Sequence, residues 1–435
     1  MANKHNWIQG EIDAWEREGL INLDMAAQLR ARYSRGGSAS RSAFLIGLAA
    51  LGALLLGGGI ILLLAYNWAD LSRPIRVAFA LFPLLAAQAL ALFGVVRERH
   101  GAGWREGIGL FWTLSIGAAV AMVSQIYHIS GSYDSFLLTW VLLALPVVYL
   151  LRSSLTAALY VVGVTAWAIP LAGESERVWF YWPLLLAVVP LLWRGSLTGV
   201  FTSGLAFLRW VVTLSLFVGV GITFAEKLDH HWMLVYSGLI SLLYLLDLRL
   251  QGNAPSLWHR PMRVLGVLGF LGMAVSLTFQ WPWRRGAPLF WWGNGEAGWD
   301  VHLGMAVALG FACAVLAVGF SARKRLRAVE YFPAMLFFFV LVGQFLARRW
   351  VSVGLLQIAA NLLVGGYGLT MMVHGFRRMS LGAVNFGMLV LAMLVIVRFL
   401  DSEVSILVRA LVFIGLGAAL LGVNVGLSRR FRRVS

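Results

Sequence analysis

Charged side chains are scarce in this sequence: only 12% of its 435 residues are Asp, Glu, Lys or Arg. A soluble domain carries about one-quarter. With 60% hydrophobic residues there is too little polar surface to coat a soluble fold of this size, and a bilayer supplies the missing coat. Acids are scarcer than bases, 19 against 35, and the net charge is +16. The bases are not pooled in one domain; they sit in short clusters between apolar runs. That excludes a nucleic-acid-binding face and points to topology signals. A single cysteine, Cys313, excludes an intramolecular disulfide. The first forty residues hold no apolar core of a signal peptide, so insertion is expected to begin at the first span. HExxH, P-loop, Rossmann and GxSxG signatures are all absent, and no cofactor or metal site is expected.

What is present is a succession of apolar runs of roughly membrane-spanning length. They predict an all-α polytopic transmembrane helical bundle of about fourteen spans, with twelve to fourteen as the range. The runs lie near 43–66, 75–96, 107–126, 135–151, 154–172, 179–193, 205–225, 232–248, 264–281, 301–320, 331–347, 351–373, 381–397 and 405–427. Two of them, 179–193 and 331–347, are short enough to be tilted, re-entrant or buried. With the N-terminus in the cytoplasm, 25 of the 35 Lys and Arg fall on the inner side and 10 on the outer. The positive-inside rule then gives both termini in the cytoplasm.

Three regions are expected. Residues 1–41 read as a cytoplasmic helical hairpin and linker, 42–172 as an N-terminal membrane domain, and 173–435 as a C-terminal membrane domain. In the hairpin, Ile8, Ile12 and Trp15 share one helix face, Gly19 ends that helix, and Asp24 is the expected N-cap of a second bearing Met25, Leu29 and Tyr33. The hairpin packs on itself or docks a partner. Tryptophans gather at span ends, and Trp281–Asp300 forms a Trp-rich outer loop. Ala49, Ala53 and Gly57, and Ala418, Gly422 and Gly426, recur every fourth residue and read as helix contacts within the chain or between two copies.

Several stretches resemble a bacterial family, domain of unknown function 2157. They are Trp15 to Ile21, Asn67 to Pro74, Ala86-Ala87-Gln88-Ala89, Trp104-Arg105-Glu106-Gly107 and Ser124-Gln125-Ile126-Tyr127-His128. The resemblance covers about residues 10–170. The tail around Asn385, Arg398 to Asp401 and Arg409 resembles the C-terminal part of the same larger proteins. It implies a multi-pass protein of the bacterial inner membrane and supplies no reaction.

Ionisable groups at membrane depth are the default functional candidates. The main cluster is Asn67, Trp68, Asp70 and Arg73 in the first outer hairpin, with Gln125, Tyr127, His128 and Asp134 after the third span. Consecutive helices pack together, so these two loops are expected side by side. A secondary cluster is Arg398, Asp401 and Arg409, in which Arg398 and Asp401 are spaced to pair on a helix. Glu106, Asp247 and Glu330 are expected at the membrane interface. Gln357 and Asn361 are polar residues within a span. Three functions are compatible with this pattern: a transporter or flippase-like carrier of a small or lipidic substrate, a membrane scaffold or envelope sensor, and an enzyme on a lipid-linked substrate. The bilayer is the expected partner, and homo-oligomerisation or a partner membrane protein stays open.

Overall fold

The computed structural model describes residues 11–34, 70–97, 101–172, 176–192, 203–224, 231–250, 254, 256–285, 299–347 and 350–401, together with residues 414, 415, 417, 418 and 422. The expected spans 43–66 and 405–427 therefore lie outside the described residues, or nearly so. So do Ile8 and the small-residue positions Ala49, Ala53, Gly57 and Gly426. Every described element is helical. The chain forms two compact units, residues 1–79 and 80–435.

In the first unit, residues 11–17 form a helix (α1) and Leu23–Ser34 a second (α2). Gly19 takes φ +72°, the left-handed region that glycine enters without a Cβ penalty. Around it, Leu20 N–H donates to Trp15 O and Gly19 N–H to Glu16 O. This is the Schellman closure that glycine permits after a helix, as the sequence predicts for Gly19. The N-cap of α2 falls two residues earlier than expected: Asn22 Oδ1 accepts from Met25 N–H at 2.8 Å. The buried positions are Ile12 and Ala26, whereas Met25 is exposed.

Among the described residues, ten helices are long and apolar enough to cross a membrane. The long helices are α3 (Arg73–Val96), α4 (Ala102–Ile126), α5 (Tyr133–Leu151) and α6 (Ser154–Ala168), then α8 (Ser203–Phe224) and α9 (Trp232–Leu250). After them come α12 (Trp299–Ala322), α13 (Tyr331–Ala347), α14 (Val353–Arg377) and α15 (Leu381–Asp401). Shorter helices are α7 (Tyr181–Leu186), α10 (Pro261–Ser276) and α11 (Trp281–Arg285). Within the second unit, α4, α5, α6 and α8 pack together, α9 is surrounded by α8, α10, α12 and α13, and α14 pairs with α15.

The expected span 179–193 is not one helix. A 3-10 turn, Glu176–Phe180, leads into α7, a turn covers 187–188, and helix resumes at 189. Pro190 explains the break, because it has no N–H to continue the ladder of α7. Freed carbonyls at membrane depth need donors. Tyr160 Oη donates to Leu184 O at 2.9 Å, and Tyr149 Oη donates to Ala187 O. Tyr181, fully buried, donates to Ser215 O at 2.6 Å and ties the segment to α8.

Close helix approach is carried by glycine where α14 meets α15. A Cβ added to Gly387 would lie 2.6 Å from Gly368 O, so the two backbones nearly touch. Ala418 and Gly422 are exposed, and a Cβ on Gly422 would meet nothing.

Candidate functional site

The loop between α4 and α5 is built around His128. Its φ is +53°, a left-handed conformation in a residue other than glycine. Ile129 N–H donates to Ser124 O and His128 N–H to Gln125 O, a second Schellman closure with histidine in the glycine position. Ser124 Oγ then donates to Ile129 O at 3.0 Å and pins the turn. Gln125, Tyr127 and His128 are exposed on this turn, and Asp134 is half-buried in the first turn of α5. Asn67 and Trp68 lie outside the described residues, and Asp70 and Arg73 are exposed in the first unit.

Beside this turn a groove of about 700 Å³ opens between α3, α4 and α5. Its wall on α5 can be read off one helix face: Ser135, Thr139, Leu143, Pro146, Val147 and Leu150. The first two are hydroxylic and the rest apolar, over about 22 Å of helix. Ser124, Ser130 and Ser132 add hydroxyls at the same mouth. Ile116, Ala119, Val120 and Val123 of α4, with Leu81 and Leu84 of α3, continue the apolar wall. Gln88 supplies one amide on the α3 side. Apart from Gln88, the groove is thus polar at the loop end and apolar along the spans.

Gln125, Tyr127, His128 and Asp134 flank the groove without lining it; its polar lining is serine, threonine and Gln88. The signal was present: Ser130-Gly131-Ser132 is a small-residue turn, and Ser135 and Thr139 are one helical turn apart. Hydroxyls carry no charge and cost little in a span, so charge and hydropathy do not single them out.

At the opposite end of α4 and α5, Glu106 performs a structural task. Its carboxylate accepts from Ser153 Oγ at 2.5 Å, Ser154 N–H at 2.9 Å and Leu155 N–H at 2.8 Å. It thereby answers the open amides at the start of α6, where the helix dipole also favours a negative charge. The Trp104 ring sits against Gly94, where a side chain would overlap it. Two of the residues that carry the family resemblance are therefore packing and capping residues.

A second polar group lies at one end of α9 and α10. Asp247 is 0% exposed and accepts from the Arg260 guanidinium. Glu330 is 5% exposed; it accepts from Tyr244 Oη at 2.7 Å and from Arg263 at 3.3 Å. Both acids are buried within the protein with arginine partners. Burial follows from where their partners stand: Arg260 and Arg263 begin α10, and that helix start folds over the end of α9. Deeper along α9, Ser241 Oγ donates to Pro333 O at 2.9 Å and accepts from Phe337 N–H at 3.1 Å. Those two backbone groups are four residues apart on α13, so the hydroxyl sits on a single rung of that helix's ladder.

In the secondary cluster, Arg398 donates to Thr278 O at 2.7 Å, just past the end of α10, with its guanidinium 5.9 Å from the Phe279 ring. A cation at a helix C-terminus is favoured by the dipole. The side chain of Asp401 and all of Arg409 lie outside the described residues. Gln357 donates to the same Thr278 carbonyl at 3.0 Å, and Asn361 donates to Gln357 O. These amides are spent on backbone and do not line the groove. No group of His, Cys, Asp and Glu suited to a metal exists among the described residues.

Residues 13–157 match the model of a family described as "Predicted membrane protein (DUF2157)". The match bears out the resemblance read from the sequence, over the N-terminal third of the chain. No curated protein and no solved structure matches the chain. The protein is a multi-pass membrane protein. The DUF2157 segment contains every lining residue of the groove and the Glu106 cap. The Asp247–Glu330 network and Arg398 fall outside it.

Proposed function

We propose that this protein binds one membrane amphiphile, a lipid, in the groove formed by α3, α4 and α5, as a lipid carrier or lipid-handling membrane protein. The observation that carries the reading is the ordering of the groove wall. Hydroxyls from Ser124 to Thr139 stand at the loop end, and leucine, proline and valine continue down the span. A lipid has that same order, headgroup then chain, and the hydrophobic effect holds the chain against the apolar wall. The apolar wall offers a chain the same kind of surface that the bilayer interior does. Gln357 and Asn361, the polar residues of the spans that would line a central aqueous path, are hydrogen-bonded to backbone instead.

With the positive-inside orientation, the groove mouth faces away from the cytoplasm of a bacterial cell, at the outer leaflet of the inner membrane. Purified protein in nanodiscs is treated with a lipid carrying a photoreactive group in its acyl chain. Cross-links are expected on peptides covering Ile116–Val123 and Leu143–Leu150, and Leu143→Trp is expected to remove them. Cross-links spread evenly over all exposed spans, unchanged by Leu143→Trp, would defeat the proposal.

A further inference from the structure

The hydrogen-bonding state of the groove mouth restricts which headgroup enters, an argument that rests on the lipid-binding reading above. No lining residue carries a charge. A phosphate seated in the mouth would find no arginine or lysine there to pair with. Hydroxyls remain, and each has one hydrogen to give and two lone pairs to offer. Most of those hydrogens are already committed. Ser124 Oγ gives its hydrogen to Ile129 O, and Thr139 Oγ1 gives its own to Ser135 O at 2.8 Å. Ser132 Oγ and Ser135 Oγ lie 2.8 Å apart, so one hydrogen of that pair is used between them. What these side chains turn toward a ligand is chiefly lone pairs.

The start of α5 is the other feature of the mouth that would attract an anion. Asp134 stands in the first turn of that helix and, although outside the groove lining, sets a carboxylate beside the mouth. A ligand group that only accepts hydrogen bonds meets that carboxylate at the helix start.

We infer that the groove selects a lipid whose headgroup donates hydrogen bonds, a hydroxyl-bearing or ammonium headgroup, over one that only accepts them. The donors would meet Thr139, Ser124 and the Ser132–Ser135 pair while the chain lies along Leu143 to Leu150.

The test uses the full-length protein in detergent and native mass spectrometry, with three lipids of matched chains: phosphatidylethanolamine, a monoglucosyl diacylglycerol and phosphatidylcholine. Phosphatidylcholine differs from phosphatidylethanolamine in having no N–H. The expected result is binding of one or both donor lipids about three- to tenfold tighter than phosphatidylcholine, the span of a single net hydrogen bond. Retention of the ethanolamine lipid alone identifies the donor as ammonium, and of the glucosyl lipid alone as hydroxyl. Thr139→Val, which keeps the shape and removes the acceptor, is expected to shrink the preference without loss of the folded protein. Equal binding of phosphatidylcholine that Leu143→Trp abolishes would overturn the headgroup inference and leave the groove a lipid site. Binding of all three lipids untouched by Leu143→Trp would overturn both.

Discussion

His128 shows what a single residue contributes at the groove mouth. Its backbone, at φ +53°, does the work that Gly19 does at φ +72° after α1. A side chain in that region costs about 1 kcal/mol relative to glycine. The imidazole itself is exposed and lines nothing. His128→Gly is therefore expected to leave the turn intact and hold or raise thermal stability in detergent, by up to about 1 kcal/mol. A clear drop in melting temperature would mean that the ring makes contacts this structure does not contain. The same variant separates backbone from side chain in any lipid-binding assay. The sequence marks His128 as a polar side chain at a span end, which is a property of its ring. Its conformation is set by the chain closing a helix, and no residue type announces that when it is not glycine. Met379, at φ +54° after α14, repeats the case: Ser380 N–H donates to Gly375 O and Met379 N–H to Phe376 O.

At the scale of elements, apolar length made the long helices legible. Tyr133–Leu151 and Val353–Arg377 fall within a few residues of the runs 135–151 and 351–373. Length failed at 179–193, where the run is apolar throughout yet Pro190 divides it. Hydropathy counts side chains and is blind to a missing N–H. It was equally blind to the pairing of Asp247 with Arg260 and of Glu330 with Arg263, because nothing local says that the start of α10 folds back over α9. Nothing local marks the close approach of Gly368 and Gly387 either, because it depends on which helices pair. Gly387→Ala is expected to force the α14–α15 backbones apart and cost about 1–3 kcal/mol. Gly382→Ala, in the same helix with nothing within 4 Å of the added carbon, is expected to be neutral or slightly stabilising. Equal destabilisation by the two substitutions in a detergent melt would show that helix propensity, not close approach, governs the pair.

For the whole molecule, composition alone gave the solvent and the fold class, since a chain with 12% charged residues and 60% hydrophobic ones has few alternatives. Orientation rests on the 25-to-10 division of basic residues. Alkaline-phosphatase fusions after Asp134 and Gly295 are expected to be active, and fusions after Arg99, Arg325 and Ser435 inactive; activity at Ser435 would give an odd number of crossings. The groove mouth then belongs to the side that carries few bases, in keeping with its uncharged lining. The other end of the molecule holds its buried ion pairs, and one contact near them reaches further. Because Ser241 of α9 takes the Phe337 amide of α13, that proton is shielded by a neighbouring helix as well as by its own. Its exchange with deuterated solvent keeps time for the parting of α9 from α13, a clock set inside the bundle and readable without any ligand.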